Sequence, residues 1–197
     1  MDQRVLIIDH FDSFTFNLVG LLEGLGVQAD VIQYGEGALK SSLNYRNIIL
    51  SPGPGKPEDY PISFNFLEQS GPKKNVLGVC LGHQIIGLAF GASLKHQNKV
   101  VHGKKRLCYP RNTSVDSIYK GLPVPFEIGL YHSWYIVMDE TNPKLEIRSV
   151  SEDGKIMGLK HKDWSIEGVQ FHPESYMTSF GSTIIKNWLS RDNAISY

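Results

Sequence analysis

Apolar residues along the first ninety positions fall into two alternating patterns. Val5-Leu6-Ile7-Ile8 is a short unbroken run, the signature of a strand buried on both faces. After it, Phe14, Leu18, Leu21, Leu22 and Leu25 recur at helical spacing, with Asp12 or Ser13 available to cap the start and Gly26 to end it. The pattern then repeats. Strands are predicted over 27–34, 47–51 and 76–79, a weaker helix over 61–70, and a clear one over 82–90, stopped by Gly91. Strands alternating with helices predict a parallel sheet carrying helices on its faces.

Beyond Gly91 strand-like pieces dominate: 100–101, 106–109, 126–131, 135–137, 145–150, 156–160 and 165–171. Asp153-Gly154 between two of them is a hairpin signal. A last amphipathic helix is predicted over 180–189. The expected fold is α/β, a mostly parallel central sheet flanked by helices, with additional antiparallel strands in the C-terminal half. No repeat or linker interrupts the chain, so residues 1–197 read as one domain.

Composition narrows the function. Twenty basic residues balance twenty acidic ones, which gives no electrostatic footprint for nucleic acid or a membrane surface. No apolar run approaches the ~20 residues of a membrane span. The start, MDQRVLIIDHFDSF, carries acids where a signal peptide needs basic residues. Two cysteines among 197 residues make no disulfide framework. The expectation is a cytoplasmic protein with reduced thiols.

One of those cysteines stands at a corner. In NVLGVCLGHQ, Cys80 follows a predicted strand, precedes a predicted helix and is flanked by Gly78 and Gly82. This is the form of a nucleophile elbow, in which a sharp turn lifts a side chain clear of the sheet. The helix points its first amides and dipole at the sulfur, favouring the thiolate. The Leu81 amide can face a developing oxyanion. Cys108, in a strand-like run, reads as structural.

A cysteine hydrolase needs a histidine. His172, in GVQFHPES, ends a strand-like run. Residues i and i+2 of an extended chain point the same way, so Glu174 can hold one ring nitrogen and leave the other for sulfur. His83 is the rival base, but it shares the cysteine's helix and cannot readily meet the sulfur side-on. No Cys/His spacing resembles a zinc site. The SPGPGKP loop at 51–57 follows a parallel strand and should share the elbow's edge of the sheet. Pro54 has no N–H, so an oxyanion donor there is Gly53 or Gly55. The loop lacks the spacing of a phosphate-binding P-loop.

Together SPGPG (51–55), GVCLGHQ (78–84), YHS (131–133) and EGVQFHPES (167–175) resemble the class I, or triad, glutamine amidotransferases. DHFDSFTFN (9–17), VVHGK (100–104) and IMGLKH (156–161) extend the likeness over nearly the whole chain. It is nearest to component II of anthranilate synthase and of aminodeoxychorismate synthase. The resemblance implies a flavodoxin-like glutaminase fold with Cys80 as nucleophile, His172 as acid–base and Glu174 as its orienter. It implies oxyanion amides from Leu81 and from Gly53 or Gly55. L-glutamine would lie against Gly53, Pro54, Gly55, Gln84 and the backbone of Ser133 and Trp134. It also implies a chorismate-aminating component I as partner, with magnesium in that partner and no cofactor in this subunit, and places the loop at 12–15 near the partner face.

Some positions depart from the family pattern. Leu130 stands where arginine is common, Trp134 where leucine is common, and Lys105-Arg106 where small hydroxyl residues are usual. These bear on the identity of the partner, not on the triad. The basic run at 95–106 is either a solvated face or a docking patch for an acidic surface. Two other readings share the motifs: a stand-alone γ-glutamyl hydrolase, and a catalytically silent regulatory subunit.

Overall fold

The computed structural model describes residues 4–190, excepting the side chains at 70 and 98–101. The acidic start at Asp2 lies outside the described residues. The elements in chain order are β1 (Arg4–Asp9), α1 (Thr15–Gly24), β2 (Gln28–Gln33), α2 (Glu36–Ser42), β3 (Asn47–Leu50), α3 (Pro61–Ser70), β4 (Asn75–Val79), α4 (Leu81–Ala89), β5 (Ser93–Pro110), β6 (Phe126–Val137), β7 (Leu145–Ser151), β8 (Ile156–His161), β9 (Ile166–Val169) and α5 (Gly181–Ser190).

The strands form one nine-stranded sheet in the order β2-β1-β3-β4-β9-β8-β7-β5-β6. The pairs from β2 to β9 are parallel, and those from β9 to β6 antiparallel. This is the expected mixed α/β architecture. The unbroken apolar run of β1 explains its interior place in the sheet, covered on both faces: Val5 and Ile7 enter the core on one face, Leu6 and Ile8 on the other. Leu18 and Leu22 of α1, with Ile184, Ile185 and Trp188 of α5, cover the first face. Ala38 of α2, Phe66 and Leu67 of α3, and Ile85 and Ile86 of α4 cover the second.

Several boundaries differ from expectation. Neither Asp12 nor Ser13 is the N-cap of α1: Phe14 holds that position without a side-chain cap bond. Asp12 Oδ1 instead accepts the Phe14 N–H at 2.8 Å, an Asx turn that enters the helix one residue late. Gly26 does end it. With φ of 75°, it allows Gly26 N–H to reach Glu23 O and Val27 N–H to reach Leu22 O, the paired bonds of a Schellman motif. Helix α2 was not expected, because seven residues give too few turns for periodicity to register. The separate strand pieces at 100–101 and 106–109 join into β5, and those at 126–131 and 135–137 into β6. Bulges lie between His96 and Val101 and between His102 and Lys104; an extra residue breaks the alternation by which a strand is read. The hairpin at Asp153-Gly154 joins β7 to β8 as expected.

Candidate active site

Strand β9 is far from β4 in sequence and beside it in space. Val76–Val79 pair in parallel with Ile166–Val169, and the Cys80 N–H donates to Val169 O at 2.9 Å. The corner after β4 and the segment after β9 therefore leave the same edge of the sheet, where β3 also delivers its loop. This is the crevice at the carboxyl ends of parallel strands.

Cys80 has φ 52° and ψ −99°, a left-handed conformation that costs a non-glycine residue of order 1–3 kcal/mol and clusters at functional sites. Its neighbours make the corner possible. A Cβ at Gly78 would lie 2.6 Å from Ile86 Cδ1 and collide with the Gly82 backbone; one at Gly82 would collide with the Leu50 carbonyl. The expected elbow is thus present, and α4 starts at Leu81 directly after the sulfur-bearing residue.

His172 and Glu174 meet as expected, but by a different route. His172 Nδ1 lies 2.7 Å from Glu174 Oε1. Strand β9 ends at Val169, and Ser175 N–H donates to His172 O at 3.1 Å, so Pro173 and Glu174 occupy the centre of a turn rather than an extended run. Proline favours the first central position of such a turn. The turn is braced on β6: His172 N–H donates to Gly129 O at 3.1 Å, and Thr178 Oγ1 donates to His172 O at 2.6 Å. Both side chains are buried. Burial by itself would lower the His172 pKa, but the Glu174 carboxylate and then the Cys80 sulfur outweigh it and hold the pKa well above its ordinary value. With Nδ1 committed to Glu174, Nε2 makes no hydrogen bond among the described residues. Phe14 and Tyr131 enclose the ring edge-on, with centroids at 5.2 and 5.0 Å.

A cavity of about 530 Å³ opens at the sulfur. Gly53, Pro54 and Gly55 of the loop after β3, Cys80, Leu81 and Gln84 of the elbow and α4, and Ser133 and Trp134 of β6 line it. Every residue expected to hold glutamine or an oxyanion is therefore at one cavity. The β3 loop packs closely there: a Cβ on Gly53 would lie 2.5 Å from Leu81 Cδ2 and 2.7 Å from His10 O. Tyr60 Oη donates to Pro54 O at 2.9 Å, and Asp59 Oδ2 accepts the Lys56 N–H at 2.8 Å. Ser133 is the residue of β6 skipped in register where β5 bulges, so it is neither a cap nor part of a turn.

Sequence reasoning missed several contributors. Gln170 Nε2 points at Cys80 Sγ, 3.6 Å away; its place two residues before His172 is the signal that it shares a direction. His132, inside the YHS segment, donates from Nδ1 to Trp134 O at 2.7 Å, and burial pushes its pKa down to about 4, so it stays neutral. His10, likewise lowered to about 4 by burial, sits under the β3 loop with Nε2 2.9 Å from Ser63 Oγ. Lys56 Nζ lies 4.7 Å from the centroid of Trp134, and both residues line the cavity. The rival base is elsewhere: His83 is fully buried, its pKa pushed to about 3 by that burial, and its ring faces Gly168 of β9. Cys108 is a core thiol whose burial pushes its pKa up to about 12. Among the described residues no group of three or more His, Cys, Asp or Glu side chains is placed to hold a metal ion, and no helix is long and apolar enough to cross a membrane. In the basic run, Lys105 pairs with Glu127 at 2.8 Å and Arg106 with Glu152 at 3.4 Å, while Lys95 and Lys104 are exposed.

A cysteine on a strand–helix elbow, a carboxylate-held histidine and a cavity opening at the sulfur define the class of thiol-dependent acyl-transfer enzymes. The chain belongs to the class-I glutamine amidotransferase family, whose pattern it matches over residues 6–191. It is 43% identical over 187 residues to a Haemophilus influenzae protein provisionally described as anthranilate synthase component II, covering 95% of this chain and 96% of that one. It is 42% identical over 192 residues to anthranilate synthase component 2 of Saccharolobus solfataricus, covering 94% and 97%. A solved structure from Thermoplasma acidophilum, provisionally described as a subunit of GMP synthase, shares the fold with a TM-score of 0.86 at 21% identity, over 98% of this chain and 96% of that one.

Proposed function

We propose that this protein is the glutaminase subunit of an anthranilate synthase, hydrolysing L-glutamine and passing ammonia to a chorismate-aminating component I. The observation that carries the chemistry is Cys80 on its elbow in a cavity with Gln84 and Trp134, beside a His172 whose free Nε2 and raised pKa suit it to give and take protons. The Cys80 thiolate attacks the side-chain carbonyl carbon of glutamine. The Leu81 amide and a glycine amide of the β3 loop, Gly53 or Gly55, stabilise the oxyanion. His172 protonates the amide nitrogen as the C–N bond breaks, releasing ammonia and leaving a γ-glutamyl thioester. His172 then takes a proton from water, which attacks the thioester, frees glutamate and restores the thiolate. Glu174 keeps Nε2 aimed at these atoms. No step needs a cofactor in this subunit; magnesium belongs to the partner.

The partner reading rests on the names of the relatives and on one surface. Phe11, Phe16 and Tyr176 are large apolar side chains 54%, 70% and 86% exposed. Phe11 and Phe16 bracket Phe14 along the chain and Tyr176 follows His172 by four residues, and Phe14 itself touches His172, so a partner covering them would sit close to the catalytic histidine. Docking there also aligns the oxyanion loop, so that without its partner the chain is a poor glutaminase.

The test is ammonia release from glutamine by the chain alone and with a co-purified component I, for wild type and Cys80→Ser. Partner-dependent turnover abolished by Cys80→Ser supports the proposal. Turnover surviving in Cys80→Ser overturns the nucleophile, and no adduct with a glutamine-like electrophile at Cys80 marks a silent subunit. Cleavage of γ-glutamyl peptides in preference to glutamine marks a stand-alone hydrolase. Analysis of the aminated product decides anthranilate against aminodeoxychorismate.

A further inference from the structure

The two buried glutamines at the site form a chain whose direction is fixed by chemistry. The Trp134 carbonyl oxygen can only accept, so the Gln84 group facing it at 2.8 Å is Nε2. The other hydrogen of that amine goes to Gln170 Oε1 at 3.2 Å. With its oxygen thus committed, Gln170 turns Nε2 to the Cys80 sulfur at 3.6 Å. Gln170 is completely buried and Gln84 nearly so, so the Gln84–Gln170 and Gln170–Cys80 bonds are shielded from water. The Trp134 oxygen is itself anchored by the Nδ1–H of His132.

We propose that Gln170 is a positioning residue for the nucleophile: its carboxamide donates to Cys80 Sγ, and the sense of that donation is dictated from the glutamine pocket through Trp134 and Gln84. The proposal rests on Cys80 being the nucleophile. A donor at this distance stabilises the thiolate over the thiol and holds the sulfur on the cavity side of the elbow. The chain also assigns Gln84 a polarity. Both hydrogens of its amine are committed to protein acceptors, so Oε1 is the atom left for a ligand, and Gln84 accepts from a substrate N–H group.

The experiment measures alkylation of Cys80 by iodoacetamide across pH, quantified on the Cys80 peptide by mass spectrometry, in the full-length protein. Gln170→Met keeps the volume and removes the donor; Gln170→Glu turns an acceptor-only group to the sulfur. The pH midpoint of alkylation rises by about half a unit in Gln170→Met, a roughly threefold slower reaction at pH 7, and rises further in Gln170→Glu. Unchanged midpoints overturn the proposal, because a residue that only filled space would be replaced silently by methionine. Should Gln170→Glu fail to fold, Gln170→Met decides alone. Ammonia release with the partner is measured in parallel. A shifted midpoint in a protein whose wild type releases no ammonia refutes the glutaminase reading and leaves this one standing.

Discussion

Replacing Gly82 by alanine tests the elbow at its tightest point. The new Cβ would press on the Leu50 carbonyl oxygen and lie 2.8 Å from Leu50 Cβ and 2.9 Å from its carbonyl carbon, where ordinary contact begins at 3.4 Å. Leu50 belongs to an interior strand, paired with Ile8 and Gly78 on its two sides, so β3 cannot yield. To clear the Leu50 oxygen the start of α4 must move outward by about an ångström, carrying the Leu81 amide and the sulfur with it. Overpacking of this kind costs about 1–3 kcal/mol, and opposition from backbone rather than a side-chain tip places it towards the upper end. A domain with ~5–15 kcal/mol of stability stays folded. Catalysis is more sensitive, since displacement near an ångström at a reacting group costs roughly 10²-fold. The control is Gly20→Ala on α1, where a Cβ meets nothing within 4 Å and the exposed helical position gains about 0.5–1 kcal/mol. Urea denaturation reads the stabilities and glutamine-dependent ammonia release with component I reads the rate. The two substitutions should move the urea midpoint in opposite directions. A Gly82→Ala protein with wild-type midpoint and wild-type turnover would refute the steric argument.

The remaining predictions concern the groups around the elbow. Glu174→Gln removes the carboxylate that raises the His172 pKa from 6.5; a raised pKa stabilises the fold fully below the unfolded value and loses that contribution as pH rises through the folded one. The stability gap between wild type and Glu174→Gln, from urea melts at several pH values, is therefore widest below pH 6.5 and narrows on the alkaline side. Tyr60→Phe deletes the hydroxyl that holds Pro54 O, costing about 1 kcal/mol in thermal or urea unfolding, and lowers kcat more than Gly20→Ala does because the loosened segment carries the oxyanion glycines. Cys108, its pKa pushed to about 12 by burial, stays unlabelled at pH 8, so intact-mass analysis after a glutamine-like electrophile shows one adduct per chain, lost in Cys80→Ser.

What could be read from the sequence was what lies within a few residues along the chain. The elbow was legible because a strand run, two glycines and a helical pattern all fall between Asn75 and Ala89. The Glu174 contact was legible at a separation of two, although a turn and not a strand produces it; either conformation brings the carboxylate to the ring, so the right pair followed from the wrong geometry. The adjacency of Cys80 and His172 was a different matter. It exists because β9 enters the sheet beside β4 after four antiparallel strands have formed elsewhere, and no local pattern records where a returning strand inserts. Gln170 was overlooked for the same reason: its direction is legible, its target is not. The breaks at 97–100 and 103 that hid the continuity of β5 are those that leave Ser133 unpaired in register at the cavity. A bulge both spoils the alternation by which a strand is recognised and frees a backbone segment to face a ligand. The segments hardest to assign from hydrophobic pattern are thus where this fold departs from regular pairing to line its site, and Gln170, joined to them through Gln84 and Trp134, carries that departure to the sulfur.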